Sequence, residues 1–141
     1  MKLGAHTLKT WATTQAIVAL SSGEAEYYGL VKGASHLLGM IALFKDLGIN
    51  MVGRIFTDST AAKGIASRMG LGKTRHIAVH LLWIQEKVRN KDFELLKVKG
   101  TENPADLMTK HLSQEVVNEF TNMWGAIFSS GRSDAAPQCV V

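Results

Sequence analysis

At 141 residues, with 46% apolar and 20% charged side chains, the chain has the make-up of one globular domain with a modest core. Its longest apolar stretches, such as Leu81 to Ile84, are far too short to cross a bilayer, and Met1-Lys2-Leu3-Gly4 opens no apolar secretory signal. The single cysteine, Cys139, builds neither a disulfide framework nor a zinc site, which points to a reducing compartment. The net charge of +4 is unevenly spread: Lys63, Arg68, Lys73 and Arg75 follow one another with no acid between Asp58 and Glu86. A basic run of this kind suits a polyanion.

In chain order, residues 6–13 are rich in β-formers and predict a strand, which the apolar run Ile17 to Leu20 could extend. Ser21 or Ser22 then offers an N-cap, with Glu24 and Glu26 in the first turn, where the helix dipole favours negative charge. Apolar positions 27, 30, 31, 34, 37, 38 and 41 predict a long amphipathic helix over 23–46, weakened near Gly39 and stopped at Gly48. A strand is expected at 53–58, a short helix at 59–68, a basic loop at 69–74 and a third helix at 75–89. A turn at 90–92 leads to a strand at 93–99, and Pro104 opens a helix running to His111. Ser113 caps a last helix over 114–124, and 129–141 reads as a disordered tail. Strands alternating with helices give an α/β layer architecture with no internal repeat.

Three acids stand where a scaffold would hold them. Glu26 is placed in the first turn of the long helix, on the side of its apolar stripe. Asp58 ends a strand just before a helix, and Asp106 lies in the turn opened by Pro104. Ligands of α/β sheets bind outside the carboxyl ends of strands, which is Asp58's position. Carboxylates converging there repel one another unless cations neutralise them. Two divalent ions about 4 Å apart can activate a water and stabilise a leaving phosphodiester oxygen, and Mg²⁺ suits such oxygen donors. Capping offers each acid an ordinary alternative explanation.

Four ordered segments carry a resemblance. Val18-Ala19-Leu20-Ser21-Ser22-Gly23-Glu24-Ala25-Glu26-Tyr27, Phe56-Thr57-Asp58-Ser59-Thr60, Lys73-Thr74-Arg75-His76-Ile77 and Asn103-Pro104-Ala105-Asp106-Leu107-Met108-Thr109-Lys110 look like copia-type ribonuclease H of retrotransposon Pol polyproteins. The matching region runs from about Gly4 to Leu112. The resemblance implies a ribonuclease H-like fold, a mixed sheet flanked by helices, over 1–112, followed by a C-terminal helix over 113–128. It also implies hydrolysis of the RNA strand of RNA–DNA hybrids during reverse transcription, with two Mg²⁺ ions or Mn²⁺ in their place.

Carried over by motif, the catalytic and metal-binding carboxylates are Glu26, Asp58 and Asp106; Glu24, two places earlier on the helix, points elsewhere. The family's first Asp lies on a strand with no counterpart here, as does most of the second strand. The resemblance therefore makes Met1 an internal methionine of a longer frame, and the chain inactive by itself. The histidine that many cellular ribonucleases H carry before the last Asp is replaced by the stretch Lys99-Gly100-Thr101-Glu102.

Implied partners are an RNA–DNA hybrid and the reverse transcriptase portion of the same polyprotein, with no membrane. Implied locations are a cytoplasmic particle or the nucleus. Lys63, Arg68, Lys73, Arg75 and His76 are the expected phosphate contacts. His76 and His80 have a spacing that can bind zinc, but no third ligand is evident. Two rival readings are a degenerate fragment that only binds nucleic acid and an integrase core. Against the integrase stand the missing His/Cys zinc segment and an Asp as the final acid.

Overall fold

A computed structural model describes residues 1–72 and 76–126. Lys73, Arg75 and the expected tail at 129–141 lie outside the described residues. The chain is mixed α/β and divides into two compact units, Trp11–Asn103 and Met1–Thr10 joined with the residues from Pro104 onward.

The larger unit is built on α1 (Ser22–Asp46), capped by Ser21, whose hydroxyl accepts the Glu24 N–H. Gly39 does not break this helix. Its stop comes where expected, with Gly48 at φ +78° and its N–H donated to the Lys45 carbonyl. β3 (Arg54–Thr57) leads into α2 (Thr60–Ser67), capped by the Ser59 hydroxyl; then come α3 (Trp83–Arg89) and β4 (Glu94–Lys97). Tyr27, Leu30, Val31 and Ala34 of α1 pack with Ala62, Ile65 and Ala66 of α2 and with Ile77, Ile84 and Phe93. Glycine allows the tightest approach. A Cβ on Gly23 would meet the Ala61 Cβ at 2.6 Å.

β3 and β4 form a two-stranded parallel sheet, Arg54 opposite Glu94 through Thr57 opposite Lys97. The Gly53 and Thr57 carbonyls accept from β4 and the residue after it, so Arg54 and Phe56 direct their backbone groups to the other edge. No strand pairs with that edge among the described residues. Parallel sheets are ordinarily covered on both faces. Here one face is open, with Phe56 59% and Leu96 36% exposed.

In the smaller unit, β1 (Lys2–Leu3) pairs antiparallel with β2 (His6–Thr7) around Gly4 at φ +57°. Pro104–Met108 forms a 3-10 turn, and α4 (Gln114–Trp124) buries Phe120 and Thr121. Lys2 Nζ and Thr7 Oγ1 donate to the carbonyls of Met123 and Trp124 at the end of α4.

Several expected elements are corrected. The strand at 6–13 shrinks to His6–Thr7, and 17–20 is no strand, with Val18 and Leu20 exposed. The helix expected from 75 begins only at Trp83, preceded by a 3-10 turn at Val79–Leu81. The helix opened by Pro104 is the 3-10 turn alone. Strand propensity is realised only against a partner. Residues 11–20 instead lie along α1, held by side chains: the Trp11 and His36 rings meet edge-on at 4.9 Å, Gln15 donates to the Ala25 carbonyl and Lys32 to the Thr13 hydroxyl.

Candidate functional site

The Gly23–Ala61 contact brings the first turns of α1 and α2 together. Glu26 follows Gly23 by one helical turn, and Asp58 precedes Ala61 by three residues at the carboxyl end of β3. Each acid is three residues from this contact. Glu26 is exposed and Asp58 half-buried. The sheet end that carries Asp58 is fixed from β4. Lys97 Nζ donates to the Asp58 carbonyl and the Thr60 hydroxyl, each at 2.6 Å. Gly100 lies beside the Asp58 carboxylate: a Cβ there would be in ordinary contact with Asp58 Oδ2 at 3.7 Å. The lysine signal was available in sequence only as one charge among several; its target depends on the register of β4.

Asp106 belongs to the smaller unit. It is 9% exposed and paired with Lys110 at 2.7 Å, while its carbonyl accepts the Thr109 and Lys110 N–H groups. Among the described residues, no three His, Cys, Asp or Glu side chains are grouped as a metal site. Mg²⁺ keeps several waters and commonly takes one or two carboxylates plus substrate phosphates, so the hard oxygens of Glu26 and Asp58 are an adequate donor type.

The stripe position assigned to Glu26 belongs to Glu24. Spacing explains this: 24, 27, 31 and 34 share a face, and Glu24 is 1% exposed beside buried Tyr27 and Val31. Its Oε2 accepts the Leu20 N–H at 2.9 Å and meets His76 Nε2 at 2.7 Å, while Tyr28 donates its hydroxyl to Oε1. The Tyr28 hydroxyl, with the Leu20 N–H and His76, holds the Glu24 carboxyl below the usual range against the opposing effect of burial. Glu24 and Tyr28 at i, i+4 were the signal; nothing in sequence links them to His76, 52 residues away.

Of the expected phosphate contacts, Lys63 is half-buried on α2, and Arg68 donates to the Leu71 carbonyl at 2.6 Å, closing the turn after α2. His76 and His80 are both exposed. Gln85, unremarked in the sequence, is buried and ties three backbone groups. Its Nε2 donates to the carbonyls of Ile65 and Gly70, and its Oε1 accepts the Gly70 N–H. No helix of the described residues is long and apolar enough to cross a membrane.

No protein-family model matches the chain, and no solved structure matches it. Among curated proteins it is 33% identical over 98 residues to the retrovirus-related Pol polyprotein from transposon TNT 1-94 of Nicotiana tabacum, covering 68% of this chain and 7% of that protein. It is 28% identical over 128 residues to the corresponding polyprotein from transposon RE2 of Arabidopsis thaliana, covering 89% of this chain and 9% of that protein. For transposon RE1 of the same plant the identity is 27% over 126 residues, covering 87% and 9%. The chain spans less than a tenth of the length of each of these relatives. Its homologues are therefore retrovirus-related Pol polyproteins of transposons, and it corresponds to a short segment of them.

Proposed function

We propose that this segment is the ribonuclease H part of a retrotransposon Pol polyprotein, acting on the RNA strand of RNA–DNA hybrids beside the reverse transcriptase portion. The observation that supports the reading is the close approach of α1 and α2 at Gly23 and Ala61, three residues from Glu26 and Asp58 respectively, with Asp58 directly after β3. Glu26 and Asp58 would hold Mg²⁺, or Mn²⁺; Asp106 enters the reading through its motif alone. The metal's contribution is to activate a water and neutralise charge on the phosphodiester. The chain's own residues fix where that happens. Lys97 anchors the Asp58 backbone, and the basic residues 63–76 draw the hybrid's phosphates.

The family resemblance implies a fourth carboxylate that this sequence does not carry, and the unpaired edge of β3 has the form of a site for a further strand. The 141-residue chain alone is accordingly a binder with little or no cleavage. A second reading, a segment that only binds nucleic acid, is favoured by the Asp106–Lys110 ion pair, which gives Asp106 a structural role.

The test compares hybrid cleavage with Mg²⁺ by this chain, by a version extended with an Asp-bearing upstream strand, and by that version with Asp58→Asn. Cutting by the extended chain that Asp58→Asn abolishes is the expected result. Silence from the extended chain would leave the binding-only reading standing. Mg²⁺-dependent cutting by the short chain would remove the need for the upstream Asp.

A further inference from the structure

Glu24 and His76 lie outside the carboxylate site, since Glu24 and Glu26 stand about 200° apart around α1. A carboxylate buried to 1% exposure gives little stability by pairing with a histidine whose side chain is 42% exposed. What the pair does provide is a fixed imidazole. Oε2 of Glu24 also accepts the Leu20 N–H, and Oε1 is occupied by the Tyr28 hydroxyl, so the carboxylate can only accept and His76 Nε2 must carry hydrogen. Among the described residues nothing else bonds the ring, and Nδ1 can meet a phosphate oxygen only as an N–H donor, in the ring that carries hydrogen on both nitrogens. The Glu24 carboxylate that meets the ring is held by the Leu20 N–H and the Tyr28 hydroxyl, and the Glu24 backbone N–H is capped by Ser21. His76 directly follows Lys73-Thr74-Arg75, in a stretch from 59 to 85 that contains four Lys and Arg side chains and no acid.

We propose that Glu24 and His76 form a phosphate-binding pair for the hybrid backbone, with His76 making the contact and Glu24 positioning its ring. The proposal rests on the hybrid-binding reading above and adds to it a residue, Glu24, that no motif assigns. An imidazole ordered by a buried carboxylate loses little freedom on meeting a phosphate oxygen. Tyr28, by filling Oε1, keeps the carboxylate facing the ring.

The experiment uses the full 141-residue chain and a short fluorescent RNA–DNA hybrid. His76→Gln weakens binding about tenfold, the scale of one hydrogen bond to a charged group. Glu24→Gln weakens binding in the wild-type background but adds nothing to His76→Gln, the non-additivity of residues acting as a unit. Substituting His76→Arg, whose guanidinium offers N–H donors to both carboxylate and phosphate, restores binding. Nitrogen-15 spectra of the wild-type chain supply a readout that folding defects in the variants cannot blur. Nε2 of His76 should be protonated, and the hybrid should shift the ring signals.

Unchanged affinity in His76→Gln, or ring signals that the hybrid leaves still, would overturn the pair while the hybrid-binding reading survives. A wild-type chain that binds no hybrid would sink both. Binding that depends on both residues, with no cleavage by the extended chain, would uphold the pair and remove the nuclease.

Discussion

Gln85 ties together the end of one helix and the turn that follows it. The Ile65 carbonyl lies in the last turn of α2, where carbonyls lack helical partners, and Gly70 holds φ +73° in the turn beyond. Replacing Gln85 by Leu keeps the bulk, removes three hydrogen bonds and strands buried backbone groups. The expected cost is about 2–3 kcal/mol, read as a lower denaturant midpoint at unchanged slope. A loss below about 0.5 kcal/mol would mean that water replaces the amide. The two tyrosines allow a second test at this scale. Burial, opposed by Arg68, pushes Tyr27 up to about 12; burial and the Glu24 carboxylate push Tyr28 up to about 12. A phenol whose folded pKa is raised stabilises the chain fully below the unfolded value of about 10, and that contribution is lost as pH rises through the folded value. Absorbance at alkaline pH should therefore show no phenolate while the chain stays folded up to about pH 11, then ionisation and unfolding together. Phenolate appearing near pH 10 without unfolding would contradict the packing of both rings.

At the scale of elements, the packing of α1 turns on which glycines have neighbours. Gly23→Ala sets a methyl 2.6 Å from the Ala61 Cβ, whereas a Cβ on Gly33 meets nothing within 4 Å. Overpacking costs about 1–3 kcal/mol, and the helical preference for alanine returns at most about 1 kcal/mol. Gly23→Ala should lower the melting temperature, and Gly33→Ala should raise it. Equal shifts would show that the α1–α2 approach is not close-packed. The first change also spreads the junction that carries Glu26 and Asp58. Where local signals suffice, sequence located the elements: Ser21, Gly48 and the apolar period frame α1, and α4 falls at its expected residues 114–124. Where an element depends on distant partners, sequence misled. Residues 8–13 have strand composition but no strand beside them, and the start of the expected third helix gives way where His76 is tied to Glu24 and Ile77 is buried. The candidate site divides in the same way. The position of Asp58, between a strand end and a capped helix, was legible. Glu24 was passed over because its partner is distant and because two acids share one helical turn.

At the scale of the whole molecule, the outstanding feature among the described residues is a parallel sheet of two strands with an exposed face. Such a sheet is marginal by itself, and here it is held from one side by the helices that bury Ile65 and Phe93. The cross-strand Arg54–Glu94 pair on the open side is exposed on both partners and adds little. Phe56 and Leu96, together with the unpaired edge of β3, make this face prone to association between copies. Phe56 contributes little to folding in this arrangement because more than half of it is already in water. Phe56→Lys should therefore raise the solubility limit and reduce binding of an apolar dye, while the midpoint of unfolding moves by no more than about 0.5 kcal/mol. The charge acts on both faults at once, removing apolar surface and discouraging edge-to-edge pairing. A loss of more than about 1 kcal/mol would show that Phe56 is buried in solution and that some segment already covers the sheet. In a chain extended by the strand expected at the β3 edge, the same substitution should become costly, because Phe56 would then lie on a covered face. The difference between the two backgrounds measures how far the added strand completes the sheet.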